Sequence, residues 1–207
     1  MNTSLELLLP ADQAPSAPAT APELRRLPGD LAIWFFILAE LLVFGVFFVA
    51  YAITRAHHVE LFDAEQLTLN RNAGALNTIL LLTASYFVAG AVHAARTGLA
   101  RRTPALLLAG IACGSGFVVV KLFEYADKLG AGITLSSSPF YMFYLSLTFF
   151  HFMHVLLGLV ILTVLWRQAR AGAYNPGNMN GLESGASYWH MVDLLWIVLF
   201  PLVYIMR

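Results

Sequence analysis

The chain has 207 residues, 59% of them hydrophobic and only 12% charged. That is too apolar for an ordinary soluble domain and too poor in Lys and Glu for a disordered one. Basic and acidic residues balance at 12 each, which argues against a nucleic-acid partner. The single cysteine, Cys113, lies in an apolar run and excludes a disulfide framework within one chain.

In chain order, the opening "MNTSLELLLPADQAPSAPATAPELRRLPGD" lacks the basic start of a signal peptide, and Glu6 interrupts its short apolar run. Pro, Ala and Ser dominate as far as Pro22. Such a composition buries no core, so residues 1–27 are expected to form a disordered Pro/Ala-rich arm. Five hydrophobic spans follow, near 31–54, 74–95, 104–126, 140–166 and 186–206. A bilayer core about 30 Å thick needs roughly 20 apolar residues per helix, and each span meets that length. Residues 28–207 therefore read as one membrane domain, an all-α five-transmembrane-helix bundle. Pro104 starts its span, where a missing N–H is harmless. "NPGN" (175–178) marks a turn before the last span.

Loop charges set an orientation. One side holds Arg25, Arg26, Arg96, Arg101, Arg102, Arg167 and Arg170; the other holds Arg55, Arg71, Lys128 and Arg207. The richer side is expected to be cytoplasmic. The N-terminus is then cytoplasmic and the C-terminus periplasmic. The longest outer loop, "RAHHVELFDAEQLTLNR", carries His57 and His58. Adjacent histidines on an aqueous loop read as solvated, because a metal needs three or four converging ligands.

The spans also carry titratable groups. Glu40 lies roughly 13 Å into the first span at 1.5 Å per residue. A bare carboxylate there is costly, so Glu40 should be protonated or paired within the bundle. Lys121 and Glu124, at i and i+3, can pair on one face. His93, Lys121, Glu124, His190 and Asp193 lie near span ends and read as packing or lipid-contact residues. His151 and His154 share one face of the fourth span, where Glu40 or Asp193 could meet them. They read as helix-to-helix hydrogen bonders, because a neutral imidazole needs a donor and an acceptor partner. With only two central histidines and no CxxCH, no metal or haem site is expected in the chain.

Five segments in order carry a resemblance. "LAIWFFILAELLVFGVFFVAYAI" (31–53), "LNTILLLTAS" (76–85), "KLFEYADK" (121–128), "HFMHVLLG" (151–158) and "SYWHMVDLLWIVLFPLVYI" (187–205) resemble subunit III of the haem–copper oxidases. In that family Glu40 falls on a carbodiimide-reactive carboxylate, and His93 matches a histidine ending its helix. The chain lacks the first two of the seven helices of the mitochondrial form, which build one arm of that form's lipid cleft. Among five-helix members, "LPGDLAIWFFILAEL", "LNRNAGALNTILLLTASYFVAGAV", "GFVVVKLFEYADK" and "VDLLWIVLFPLVYIMR" look most like the NorE-type proteins linked to nitric oxide reductase.

The resemblance implies a non-catalytic accessory subunit in a bacterial inner membrane. Its partner would be the catalytic haem–copper subunit of a nitric oxide reductase or, alternatively, of a cytochrome c or quinol oxidase. Haem and metal would lie in that partner, with structural phospholipid beside this chain. Glu40, His151 and His154 would be the residues modulating proton uptake. A different class, a small proton or ion transporter, fits the buried Glu and His, but the sequence shows no inverted repeat. A stand-alone membrane enzyme built on His151 and His154 is the remaining alternative.

Overall fold

The computed structural model describes residues 29–99 and 101–206. The expected arm at 1–27 and the charges Arg25, Arg26 and Arg207 lie outside the described residues. Among the described residues, six α-helices run in order: α1 (Leu31–His57), α2 (Val59–Gln66), α3 (Arg71–Arg96), α4 (Thr103–Gly130), α5 (Pro139–Arg170) and α6 (Asn180–Phe200). A π-helical turn, Pro201–Ile205, continues α6. Among the described residues, α1, α3, α4, α5 and the α6–π continuation are long and apolar enough to cross a membrane.

Local chemistry starts and stops these helices. Asp30, Asn70 and Ser138 accept hydrogen bonds from Ala32, Ala73 and Tyr141 amides, which caps α1, α3 and α5. Pro104 and Pro139 occupy first-turn positions. Gly98, Gly132 and Gly172 take positive φ just beyond helix ends. The NPGN turn closes as Asn178 N–H donates to Asn175 O at 2.8 Å. Burial raises the pKa of the nearby Tyr174 phenol, whose hydroxyl donates to the Gln168 side chain.

Helices α3, α4, α5 and α6 pack side by side, and α1 lies outside against α6 and α5. The inner face of α6 is the most buried surface, with Tyr188, Trp189, Val192, Leu195, Trp196 and Leu199 enclosed. Two glycines admit Trp189. A Cβ on Gly114 would sit 2.7 Å from its ring, and one on Gly158 would sit 2.9 Å away. The last span starts at Asn180, several residues earlier than its hydropathy suggests, because Leu182, Gly185 and Ala186 pack inward.

One element was not expected. The outer loop contains α2, which turns Phe62 into the bundle against Tyr51 and Phe140. Polar bonds hold it there: Gln66 Nε2 donates to Val203 O at 2.8 Å, and Arg55 pairs with Asp63 at 2.9 Å. Lys128 Nζ reaches Thr68 O just beyond it at 2.7 Å. This end is therefore lidded. The opposite end carries Arg96, Arg101, Arg102, Arg167 and Arg170, and there the Arg96–Glu183 pair joins α3 to α6 at 2.8 Å.

Candidate functional sites

Two polar sites stand inside the bundle. The first is a seam site built by α1 and α5. Glu40, ten residues into α1, lies about 14 Å from the arginine-rich end of that helix. Its Oε2 meets His154 Nε2 at 3.0 Å. The same imidazole's Nδ1 lies 2.7 Å from Phe150 O on its own helix. A backbone carbonyl only accepts, so Nδ1 carries a hydrogen. Nε2 then has two options. It accepts from a protonated Glu40, or it donates to a Glu40 carboxylate as part of an imidazolium. Either way one hydrogen lies between them and the pair is net neutral, which makes it tolerable at membrane depth. Phe44, one turn beyond Glu40, sets its ring edge-on to His154 at 5.4 Å, and Tyr188 OH donates to His154 O at 3.2 Å. The pair is not sealed: the Glu40 and His154 side chains keep 22% and 16% of their exposure.

His151 has a different environment. It is fully enclosed, and its Nε2 lies 3.0 Å from Val192 O on α6. The carbonyl makes Nε2 the donor, so Nδ1 is a bare acceptor, and it is buried without a partner. Phe117 and Trp196 flank the ring at 5.6 and 5.1 Å. His151 therefore joins α5 to α6, whereas His154 joins α5 to α1. Asp193 meets neither histidine; its Oδ1 is buried without a partner.

The second site sits at the lidded end. Lys121 Nζ, with no exposed surface, donates to Glu124 Oε2 at 3.1 Å and to Tyr204 OH at 2.7 Å. Tyr144 OH and Tyr204 OH both donate to Glu124 Oε1, at 2.6 and 2.5 Å. The rings of Tyr125, Tyr144, Trp196 and Tyr204 stand 5.2–5.5 Å from the ammonium. The i, i+3 spacing of Lys121 and Glu124 foretold their pairing, but not the tyrosines. Tyr204 arrives through the π turn, which coincides with Pro201, a residue without an N–H to continue the α-helical ladder. The available signal was depth: Tyr144 lies within two turns of the start of α5, and Glu124 lies within two turns of the end of α4.

His93 and His190 lie at the arginine-rich end, on the α3–α6 seam. His190 Nδ1 meets Ser85 Oγ at 3.3 Å, and His93 is exposed.

A family model described as cytochrome c oxidase subunit III matches residues 29–207. Cytochrome c oxidase subunit 3 of Thermostichus vulcanus is 32% identical over 177 residues, covering 85% of this chain and 86% of that protein. Quinol oxidase subunit 3 of Bacillus subtilis is 27% identical over 182 residues, covering 85% and 86%. Heme-copper oxidase subunit I+III of Aeropyrum pernix is 30% identical over 185 residues, covering 84% of this chain and 22% of that protein.

Proposed function

The chain belongs to the cytochrome c oxidase subunit III family, and on that premise we propose that it is a non-catalytic subunit of a respiratory haem–copper complex. The match across residues 29–207 carries this reading. The relative called subunit I+III supports a catalytic subunit I as the docking partner, since the two parts share one chain there. Haem and metal belong to that partner, and this chain holds none. The arginine-rich end faces the cytoplasm of a bacterium and the lidded end faces the periplasm, in keeping with the bias of basic loops.

The Glu40–His154 pair supports a proton-holding role beside the partner. It keeps one exchangeable hydrogen at a partly open seam in the cytoplasmic half. His151, fixed to Val192 O, serves packing instead.

The finer reading of the partner is a nitric oxide reductase, from the likeness of four segments to NorE-type proteins. A specific observation favours a second reading, an oxygen reductase: the relatives described above are cytochrome c and quinol oxidase subunits. One experiment separates them. The tagged full-length chain, isolated in mild detergent from its own membranes, should bring down a haem–copper subunit whose sequence and gas substrate decide the partner. Isolation without any haem protein, together with proton flux in liposomes holding this chain alone, would replace the accessory role with transport.

A further inference from the structure

We infer that one internal water is bound beneath α2 and fastens this short helix over the bundle. An eight-residue helix has little stability of its own, so α2 depends on its ties to the rest of the chain. Two of those ties are direct: Arg55 Nη2 donates to Asp63 at 2.9 Å, and Gln66 Nε2 donates to Val203 O at 2.8 Å. Both side chains also carry an unspent polar atom. Arg55 Nε and Gln66 Oε1 are buried without a hydrogen-bond partner among the described residues, and so is the Tyr51 hydroxyl. Tyr51 is fully enclosed, and Gln66 keeps 1% of its exposure.

The three orphaned groups belong to two helix faces that meet. Tyr51 and Arg55 stand at i and i+4 on α1, so they share a face. The Tyr51 ring meets Phe62 edge-on at 5.4 Å, and Arg55 pairs with Asp63, the next residue of α2. Gln66 follows Phe62 by one turn on the same face of α2. The face of α1 that carries Tyr51 and Arg55 therefore lies against the face of α2 that carries Phe62 and Gln66. Neither the Lys121 cluster nor the Glu40–His154 pair uses these atoms.

Their chemistry selects the ligand. Arg55 Nε–H only donates, and the Tyr51 hydroxyl has a hydrogen to give. Val203 O only accepts, which turns the Gln66 amide so that Oε1 is the atom left over. Two donors and one acceptor match a water, which accepts from Tyr51 and Arg55 and donates to Gln66. Three bonds are the usual number for a buried water. An anion would be repelled by Gln66 Oε1 and by the neighbouring Asp63 carboxylate, and a cation by the Arg55 guanidinium. Tyr51 lies about 9 Å from the end of α1 at 1.5 Å per residue, shallow enough for water to enter from the lidded end.

The test turns on the sign of one substitution. A buried hydroxyl that lacks a partner destabilises, so its removal raises the melting temperature; a hydroxyl bonded to a held water stabilises, so its removal lowers it. Tyr51→Phe keeps the ring and its contacts. In the full-length chain it should lower the melting temperature and speed hydrogen–deuterium exchange at the amides of Val59–Gln66 several-fold. Arg55→Lys keeps the charge opposite Asp63 and removes Nε. Combined with Tyr51→Phe it should lose less than the sum of the two single losses, because both groups hold one water. Solid-state NMR of the chain in lipid should show magnetisation passing from water to Arg55 Nε–H, and less of it in Tyr51→Phe. Four results would overturn the site: a Tyr51→Phe melt at or above the parent's, unchanged exchange in α2, additive losses in the double variant, or no transfer from water to Arg55, which would leave a direct side-chain contact in its place.

Discussion

The lidded cluster and the seam pair place the same chemistry, a carboxyl beside a nitrogen base, in two different settings. Glu124 receives donors from Lys121, Tyr144 and Tyr204, and four aromatic rings close around the ammonium. Glu40 has one side-chain partner, a base that shares a hydrogen with it, and both keep exposed surface. An acid in a membrane helix is thus not functional by position alone. What matters is how completely its lone pairs are occupied and whether the outside can reach it. By that measure the proposed exchangeable group is Glu40, and Glu124 is expected to serve structure.

The largest effect that separates the two settings is expected at Lys121. Lys121→Met leaves the Glu124 carboxylate enclosed without its cation, which should cost about 3–5 kcal/mol. The double variant Lys121→Met/Glu124→Leu should recover part of that loss, because it removes the unpaired charge but leaves the Tyr144 and Tyr204 hydroxyls without their acceptor. Thermal unfolding of the purified chain in detergent measures both. A single variant no worse than the double would mean that the ion pair is not what keeps Glu124 tolerable.

A smaller effect is expected in the packing between the two regions. Gly158 lies four residues beyond His154, and a Cβ there meets Trp189 at 2.9 Å. The indole is enclosed and has little room to shift. Gly158→Ala should therefore cost roughly 1–3 kcal/mol through overpacking. Gly45→Ala on α1, with nothing within 4 Å of its Cβ position, should cost nothing measurable by the same melt. Helix propensity favours alanine at both positions, so equal losses at both glycines would mean that the Trp189 contact does not set the cost.

Hydropathy made the five spans legible because length and composition decide membrane helices. It missed α2, whose eight residues are too short and too polar to register as a span and which is held by Phe62 and Gln66. The Lys121–Glu124 pair was readable because i, i+3 spacing is local. Its tyrosines were not, because Tyr144 and Tyr204 are 20 and 80 residues from Glu124 and the π turn presents one of them. The sequence placed Glu40 and His154 at compatible depth. It grouped His151 with them because three residues on a helix share a broad face. The rotation between those positions is nonetheless enough to send one imidazole to α1 and the other to α6.

The smallest expected change in stability is also the sharpest test of the seam pair. His154 Nδ1 donates to Phe150 O, so a neutral His154 offers only an acceptor to residue 40. Glu40→Gln supplies an amide N–H to that acceptor and keeps the helix-to-helix bond. Its melting should therefore match the parent, whereas Glu40→Ala should lose roughly 1 kcal/mol, the usual worth of an interhelical bond in a membrane. Glu40→Gln removes the exchangeable hydrogen without removing the contact. A hydrophobic carbodiimide should label Glu40 in the parent, leave the glutamine variant unlabelled, and spare Glu124 in both, as read by mass spectrometry. Labelling confined to Asp63 or Glu65, or reaching Glu124, would break the contrast between the regions. In the intact complex, Glu40→Gln should hold the catalytic partner as firmly as the parent and slow proton-coupled turnover. Equal turnover at equal partner retention would leave the pair as one more helix contact and remove its claim to proton handling.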